Sequence, residues 1–372
     1  MRILMHSVYL PPEVGGLESH VYFLCRALVA RGHEVDAVTS HSLPDLPEHE
    51  VMEGVRIWRT WMPARNTAGW ASHALCSMPR FSSLAERADV LHAQDIAAIL
   101  PCMAAQRVRD APIVATYHTS HFLKRAKSLI WRPIFKQFLQ SADHNLAASR
   151  EIASVAESIA PGIAVEPLTN GVDTNFFRKV KPLLTNPGRG TKRLVAPRRL
   201  VEKNGVEHLI RAMPEILEEV KAELVVIGDG PQRSSLERLS EELGVNKKVT
   251  FLGSRPHADM PGLLSSADLA VFPSLMEATS VAALECLACE VPVAASRVGG
   301  LPEIIQSDVG ALFEPGDPTS LSRAVVGLLQ KSGLEKFGTT ARQRVVDFWS
   351  NDRLADRHAE VYEAVIQNRQ AA

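Results

Sequence analysis

Apolar positions along the chain alternate between two periods. The short runs Ile3–Met5, Val35–Val38, Val90–His92 and Ile113–Thr116 read as buried strands. Between the first two, Leu17 to Arg31 brings Val21, Leu24, Leu28 and Val29 near the helical period, and Gly32 stops the helix. A second cycle begins near Arg193. It has strand candidates at Leu194–Ala196, Glu223–Ile227, Val249–Leu252, Leu269–Phe272 and Val291–Ala295, with helices over Gly205–Leu217 and Ser234–Leu243. This alternation predicts parallel strands joined by crossover helices. Between the cycles, residues 179–190 contain Pro182, Pro187, Gly188 and Gly190, and read as an exposed loop near an interdomain link. The tail from Asp352 to Gln367 has Leu354, Val361, Ala364 and Val365 as apolar positions, and suits a terminal helix packed across a domain boundary.

Composition narrows this picture. A chain of 372 residues with 46% hydrophobic and 22% charged residues has material for two cores. A formal net charge of −1 argues against a general nucleic-acid binder. Five cysteines are too few, and odd in number, for a disulfide framework, which favours a reducing cytoplasm. The opening residues Met1 to Ser7 run straight into strand-like sequence without a long apolar stretch, so no signal peptide is expected. No apolar run reaches the length of about 18 residues that a spanning helix needs. The expected setting is cytoplasmic, with any membrane contact made from the side at the cytoplasmic face.

Candidate chemistry gathers at loop-to-helix junctions. Gly15-Gly16, between a strand and a helix, permits close backbone approach to an anion at a helix start, and equally suits a tight turn. The stretch from Phe272 to Glu285 passes from strand to helix, and small residues at Ala278, Thr279 and Ser280 leave the first-turn amides open to phosphate. Glu277 and Glu285 flank that position. As carboxylates they suit sugar hydroxyls, and spacing alone fits a capping Glu plus a surface Glu as well. His118 follows a strand end, where ligands bind in such sheets; His121, His92 and Asp95 are weaker neighbours. Cys286 and Cys289 lack a second ligand pair at zinc-binding spacing and are read as core packing. Residues 124–136 are basic with interleaved aromatics. They suit either an anionic membrane surface or a solvated face over a buried apolar one, with Pro133 expected to interrupt any continuous helix.

Taken in order, these segments resemble glycosyltransferase family 4, the retaining group 1 enzymes of the glycosyltransferase-B fold. The stretch from Glu277 to Glu285 resembles the family's motif of two glutamates with seven residues between them. Thr169-Asn170-Gly171-Val172-Asp173 with Phe176-Phe177, the run from Arg198 to Gly205, Gly228-Asp229-Gly230-Pro231, Phe251-Leu252-Gly253 and Gly299-Gly300-Leu301-Pro302-Glu303 match in sequence order. Before Thr169 the match is looser, resting on Gly15-Gly16 and Arg31–Val35. Four positions depart from the pattern. Thr279 and Ser280 replace an aromatic and a Gly, Asn204 stands where a Lys precedes the Gly, and Glu290 replaces a Gly.

The resemblance implies an α/β chain of two Rossmann-like domains facing a central cleft. The expected boundaries are 1–168 on the acceptor side, 169–345 for the nucleotide sugar, and 346–372 as a helix crossing back. It implies that Glu285 holds ribose hydroxyls and that Glu277 contacts the donor sugar. Arg199 and Lys203 would neutralise the leaving diphosphate, with Arg198 able to share the task, and the backbone at Gly16, Ser280 and Val281 would assist. His118 is implied to touch the donor sugar or the acceptor side. No metal and no cofactor beyond a nucleoside diphosphate sugar substrate is implied. The implied reaction is retaining sugar transfer to a glycan or lipid-linked acceptor, as in cell-envelope or other glycan synthesis. A sugar-nucleotide-binding protein without catalysis is the alternative.

Overall fold

The computed structural model describes residues 1–13, 16–43, 45–118 and 120–371. The chain divides into two compact units, Met1–Gly171 with the tail from Asn351, and Val172–Ser350. The sequence predicts changeovers at 168/169 and 345/346; the contacts of the backbone divide the units at 171/172 and 350/351, and Asn170 and Gly171 bond within the first unit. Both units are mainly parallel sheets covered by helices, as the strand–helix alternation predicts.

The first unit has eight strands: β1 (Arg2–Ser7), β2 (Glu34–His41), β3 (His49–Met52), β4 (Val55–Trp61), β5 (Val90–Gln94), β6 (Ile113–Tyr117), β7 (His144–Ala147) and β8 (Val165–Pro167). Their order is β3-β4-β2-β1-β5-β6-β7-β8, all parallel except the β3–β4 hairpin. β1 and β5 are buried almost throughout and lie centrally, as strands covered on both faces must. The β3–β4 pair was not foreseen: β3 is a short edge strand of mixed polarity and leaves no apolar run to read. The helix Asn351–Ala371 contributes Leu354, Ala355, Val361, Tyr362 and Val365 to the same core as Ile3, Met5 and Leu24. Polar ties reinforce it: Tyr362 Oη lies 2.6 Å from His92 Nδ1, and Arg31 Nε donates to Asp356 at 2.6 Å.

The second unit has six strands: β9 (Lys192–Pro197), β10 (Ala222–Ile227), β11 (Val249–Gly253), β12 (Leu269–Phe272), β13 (Val293–Ser296) and β14 (Gly310–Phe313), ordered β11-β10-β9-β12-β13-β14 and all parallel. Order reverses beside β9, whose neighbours are β10 and β12. In open parallel sheets that switch point opens a crevice at the carboxyl ends of the strands. Two apolar layers sandwich the sheet, one containing Phe272, Leu284, Cys286 and Cys289, the other Leu194, Leu209 and Val271. Cys286 and Cys289 pack in the first as small apolar groups, with free, buried thiols. Phe348 and Trp349 end the helix Leu334–Trp349, which the sequence reading left unassigned.

Pro133 does not break a helix. The segment forms two helices, Ser120–Ala126 and Trp131–Ser141, with the break at residues 127–130. Pro133 sits in the first turn of the second helix, where no backbone donor is lost.

The tail helix should carry measurable stability. Leu354→Ala is expected to destabilise by roughly 2–4 kcal/mol. Tyr362→Phe, which strips His92 of a buried partner, should cost about 1–2 kcal/mol. Urea unfolding followed by circular dichroism checks both; unchanged midpoints would show that the tail does not belong to the core.

Candidate active site

The crevice of the second unit is built by two loops. One leaves β9 as residues 198–205, and the other leaves β12 as residues 273–280. Two glycines allow close packing here, one between these loops and one on the loop after β13. Gly205 has φ +64°, and a Cβ there would stand 1.9 Å from the Pro273 carbonyl oxygen. Gly299 has φ +55°, and its Cβ would meet the Glu277 carbonyl oxygen at 2.0 Å. The Lys203 carbonyl accepts from the amides of Leu275 (2.8 Å) and Met276 (3.3 Å), and Gly300 N–H donates to Ala278 at 3.0 Å.

Arg198 occupies the centre. Its Nη2 donates to Glu277 Oε2 at 2.6 Å, Ser274 Oγ at 2.7 Å and Asn204 Oδ1 at 2.9 Å. Nη1 reaches Ser280 Oγ at 3.5 Å, and the guanidinium lies 5.4 Å from the Phe272 ring centroid. The ion pair is withdrawn from water, with side chains 9% and 14% exposed. Arg198 Nε is buried without a hydrogen-bond partner, and so is Thr279 Oγ1.

Ser280 caps the helix Val281–Ala288, its Oγ accepting from Ala283 N–H at 3.3 Å. The amides of Val281 and Ala282, the first two of that helix, take no partner among the described residues. Arg198 and the positive end of a helix therefore converge on one point, which is the electrostatics an anion needs. Glu285 lies four residues past Val281, hence on the same helix face. It is half-buried, and its carboxylate accepts no hydrogen bond among the described residues. Desolvation pushes its pKa up to about 7.

The candidate residues thus divide by unit. Arg198, Lys203, Glu277, Ser280, Val281 and Glu285 belong to the second unit's two loops and following helix. Arg199 belongs to the first of these loops, but its side chain is exposed, and its carbonyl accepts from Asn204 Nδ2 at 2.8 Å. Successive residues of an extended loop point to opposite sides, so the inward guanidinium is that of Arg198, which the sequence reading held only in reserve. Asn204, noted as a departure, is the buried brace of this loop, bonded to both arginines. Ser274 was missed altogether; a serine just past a strand end carries no pattern of its own.

In the first unit, Gly16 opens the helix Gly16–Ala30, whereas Gly15 lies outside the described residues. His118 is buried after β6, with Nε2 2.6 Å from Gln94 Oε1 and Nδ1 3.0 Å from Asn170 Oδ1. Burial pushes its pKa down to about 3, so the ring is neutral and carries one N–H. Nε2–H donates to Gln94, and Nδ1 is satisfied when the Asn170 amide turns its NH2 group toward it. Both nitrogens are therefore engaged, and neither is free to move a proton. His92 lines no surface: it is fully buried between Tyr362 and Thr116. Asp95 caps a short turn at φ 72°, and His121 is exposed with its ring edge on Trp70.

Two parallel-sheet units with this loop arrangement define the glycosyltransferase-B fold. Sucrose-phosphate synthase from Thermosynechococcus elongatus superposes with a TM-score of 0.84 at 22% identity, covering 99% of each chain. Anabaena HepE, solved in complex with UDP-glucose, gives 0.77 at 17% identity over 98% of this chain and 100% of that one. The family model for glycosyl transferases group 1 matches residues 185–344, and the model for glycosyltransferase family 4 matches residues 14–176. Glycogen synthase of Mycobacterium tuberculosis is 30% identical over 97% of this chain and 94% of its own length. The chain belongs to glycosyltransferase family 4, the group 1 glycosyltransferases.

Glu285 makes a signed prediction. Its carboxyl titrates near pH 7 in the folded protein, against an ordinary 4.5 when unfolded. Between those values the folded state holds a proton that the unfolded state has released, so stability falls as pH rises through this window. Glu285→Gln removes that penalty. The variant should match the wild type near pH 4 and exceed it by up to about 3 kcal/mol above pH 7. Denaturant midpoints across pH test this; a pH-independent difference would contradict it.

Proposed function

We propose that this chain is a retaining glycosyltransferase that takes a sugar from a nucleoside diphosphate sugar and passes it to an acceptor hydroxyl. The observation that carries the proposal is the pairing, within one unit, of a cationic helix start with a carboxylate that lacks donors. A nucleoside diphosphate supplies both complements: phosphate oxygens for Arg198 and the helix amides, and ribose hydroxyls for Glu285. The UDP-glucose complex of the structurally similar HepE is consistent with such a donor.

In this reading the diphosphate takes over the guanidinium of Arg198, with Lys203 and Arg199 adding positive charge. The Val281 amide and the Ser280 cap assist. Charge that develops on the leaving diphosphate is stabilised by fixed cations and amides, so the reading is metal-independent. Glu277, released from Arg198, turns to the sugar hydroxyls near the reacting carbon. The bond from the anomeric carbon to the diphosphate breaks while the acceptor oxygen bonds to that carbon from the same face. The acceptor's proton passes to a phosphate oxygen. His118, with both nitrogens bonded, holds the end of β6 in shape for the acceptor side and does not act as a base. A hexosyl donor, a glycan or lipid-linked acceptor and a cytoplasmic setting complete the proposal.

The Arg198–Glu277 pair makes the test specific. Glu277→Gln is expected to bind nucleoside diphosphate as tightly as the wild type or several-fold tighter, since the diphosphate no longer competes with a carboxylate for Arg198. The same variant should lose on the order of 100-fold or more in sugar transfer. Arg198→Ala and Lys203→Ala should weaken both. A thermal-shift screen over nucleoside diphosphate sugars, followed by an assay for released nucleoside diphosphate, reads out binding and turnover. A wild type that binds a donor yet releases nothing with any acceptor would leave a binding protein instead. Near-normal turnover by Glu277→Gln would overturn the role given to Glu277.

A further inference from the structure

The break between the helices Ser120–Ala126 and Trp131–Ser141 leaves an apolar elbow in solvent. Leu129 is 85% exposed and Ile130 78% exposed, higher than any other large apolar side chain among the described residues, and Ile134 one turn on is 37% exposed. None of them is needed to hold the helices. Phe122 stacks on Phe135 at 5.0 Å between ring centroids, and Phe138 and Leu139 are buried beneath. Apolar side chains shown to water side by side are a standing cost that an interaction surface explains.

The surrounding charge is of one sign. Residues 120–142 contain Lys124, Arg125, Lys127, Arg132 and Lys136 and no acidic residue. Two of these cations have structural duties. Arg125 lies 5.7 Å from the Trp70 ring centroid and 5.1 Å from that of Trp131, and bonds Thr67 at 2.7 Å; Arg132 donates to the Ser158 carbonyl at 3.1 Å. Lys124, Lys127 and Lys136 are exposed and form no ion pair among the described residues. Two copies of this surface meeting across a two-fold axis would bring like charges together.

We propose that the 127–130 elbow is a membrane-docking element. Leu129 and Ile130 enter the acyl boundary of an anionic bilayer, Trp131 lies at the headgroup level, and the three unpaired lysines face lipid phosphates. No described helix is long and apolar enough to cross a membrane, so the contact is peripheral. The elbow follows β6 by way of His118, so docking sets the carboxyl-end side of the first unit's sheet near the lipid. Resting on the transferase reading above, this makes the acceptor lipid-linked; the docking itself does not depend on that reading.

Sedimentation with phosphatidylcholine vesicles, with and without phosphatidylglycerol, tests the element in the full chain. The wild type should pellet with the anionic vesicles, less as salt rises, and remain in solution with the neutral ones. The exposed double substitution Leu129→Ser with Ile130→Ser should lower partitioning on the order of 10- to 100-fold. Lys124→Gln, Lys127→Gln and Lys136→Gln together should lower it on the order of 100-fold and abolish the salt dependence. Both variants should keep the wild-type melting temperature and its rise with nucleoside diphosphate, so a failure of docking is distinct from a failure of the donor site. The proposal is overturned if the wild type ignores anionic vesicles or if both variants bind like the wild type. It is also overturned if gel filtration shows a wild-type dimer that the Leu129→Ser, Ile130→Ser protein does not form.

Discussion

The interaction on which the second unit's site depends is the ion pair of Arg198 and Glu277. Two opposite charges 2.6 Å apart are held largely out of water, beside the positive end of a helix. A lone guanidinium there would be repelled by the helix end, and a lone carboxylate would be buried without a partner. Together they are tolerable, and Asn204 and Ser274 spread the guanidinium's bonds further. Breaking such a pair costs several kcal/mol because the survivor stays buried, about 3–5 in well-studied cases. The loops carrying the two residues approach closely where Gly205 has no side chain to intervene, and Gly299 lets the loop after β13 close on the Glu277 backbone in the same way.

Around that pair, the second unit keeps several polar groups unsatisfied. Arg198 Nε and Thr279 Oγ1 are buried without partners, and the Glu285 carboxyl has been pushed toward neutrality by desolvation alone. A fold selected only for stability would have bonded these groups or replaced them, since each carries a desolvation cost. Their common neighbourhood, at the switch point of a parallel sheet, makes them complementary to a ligand that brings both acceptors and donors.

The first unit also leaves buried polar atoms without partners, among them His6 Nδ1, His73 Nε2 and His358 Nε2. Another set of its buried polar groups is bonded in a chain from Tyr362 through His92 and Gln94 to His118 and Asn170. The histidines in it are neutral because burial outweighs any local charge. This network ties the tail helix to the sheet interior and leaves surface chemistry to the rim, where the 127–130 elbow lies.

The sequence by itself determined the class of fold and pointed to the candidate site. The central strands are apolar runs, and their helices carry a clear amphipathic period, so β1, β5, β9, β10 and β12 were legible to within a residue or two. The order of small and acidic residues from Glu277 to Glu285 marked the loop and helix that bear the site, and the resemblance supplied the family. Edge elements were not legible: β3 and β14 are only four residues long, and half of β3's side chains lack the apolar signal. What only the tertiary structure decided is which neighbour of a pair faces inward. Arg198 and Arg199 are chemically identical in the sequence, and the bonds of Asn204, together with Gly205, where a Cβ would stand 1.9 Å from the Pro273 carbonyl oxygen, select the first. The same holds for His118, whose ring nitrogens were spoken for by Gln94 and Asn170, 24 and 52 residues away. Residue type states what a side chain can do; long-range packing decides which atoms remain available to do it.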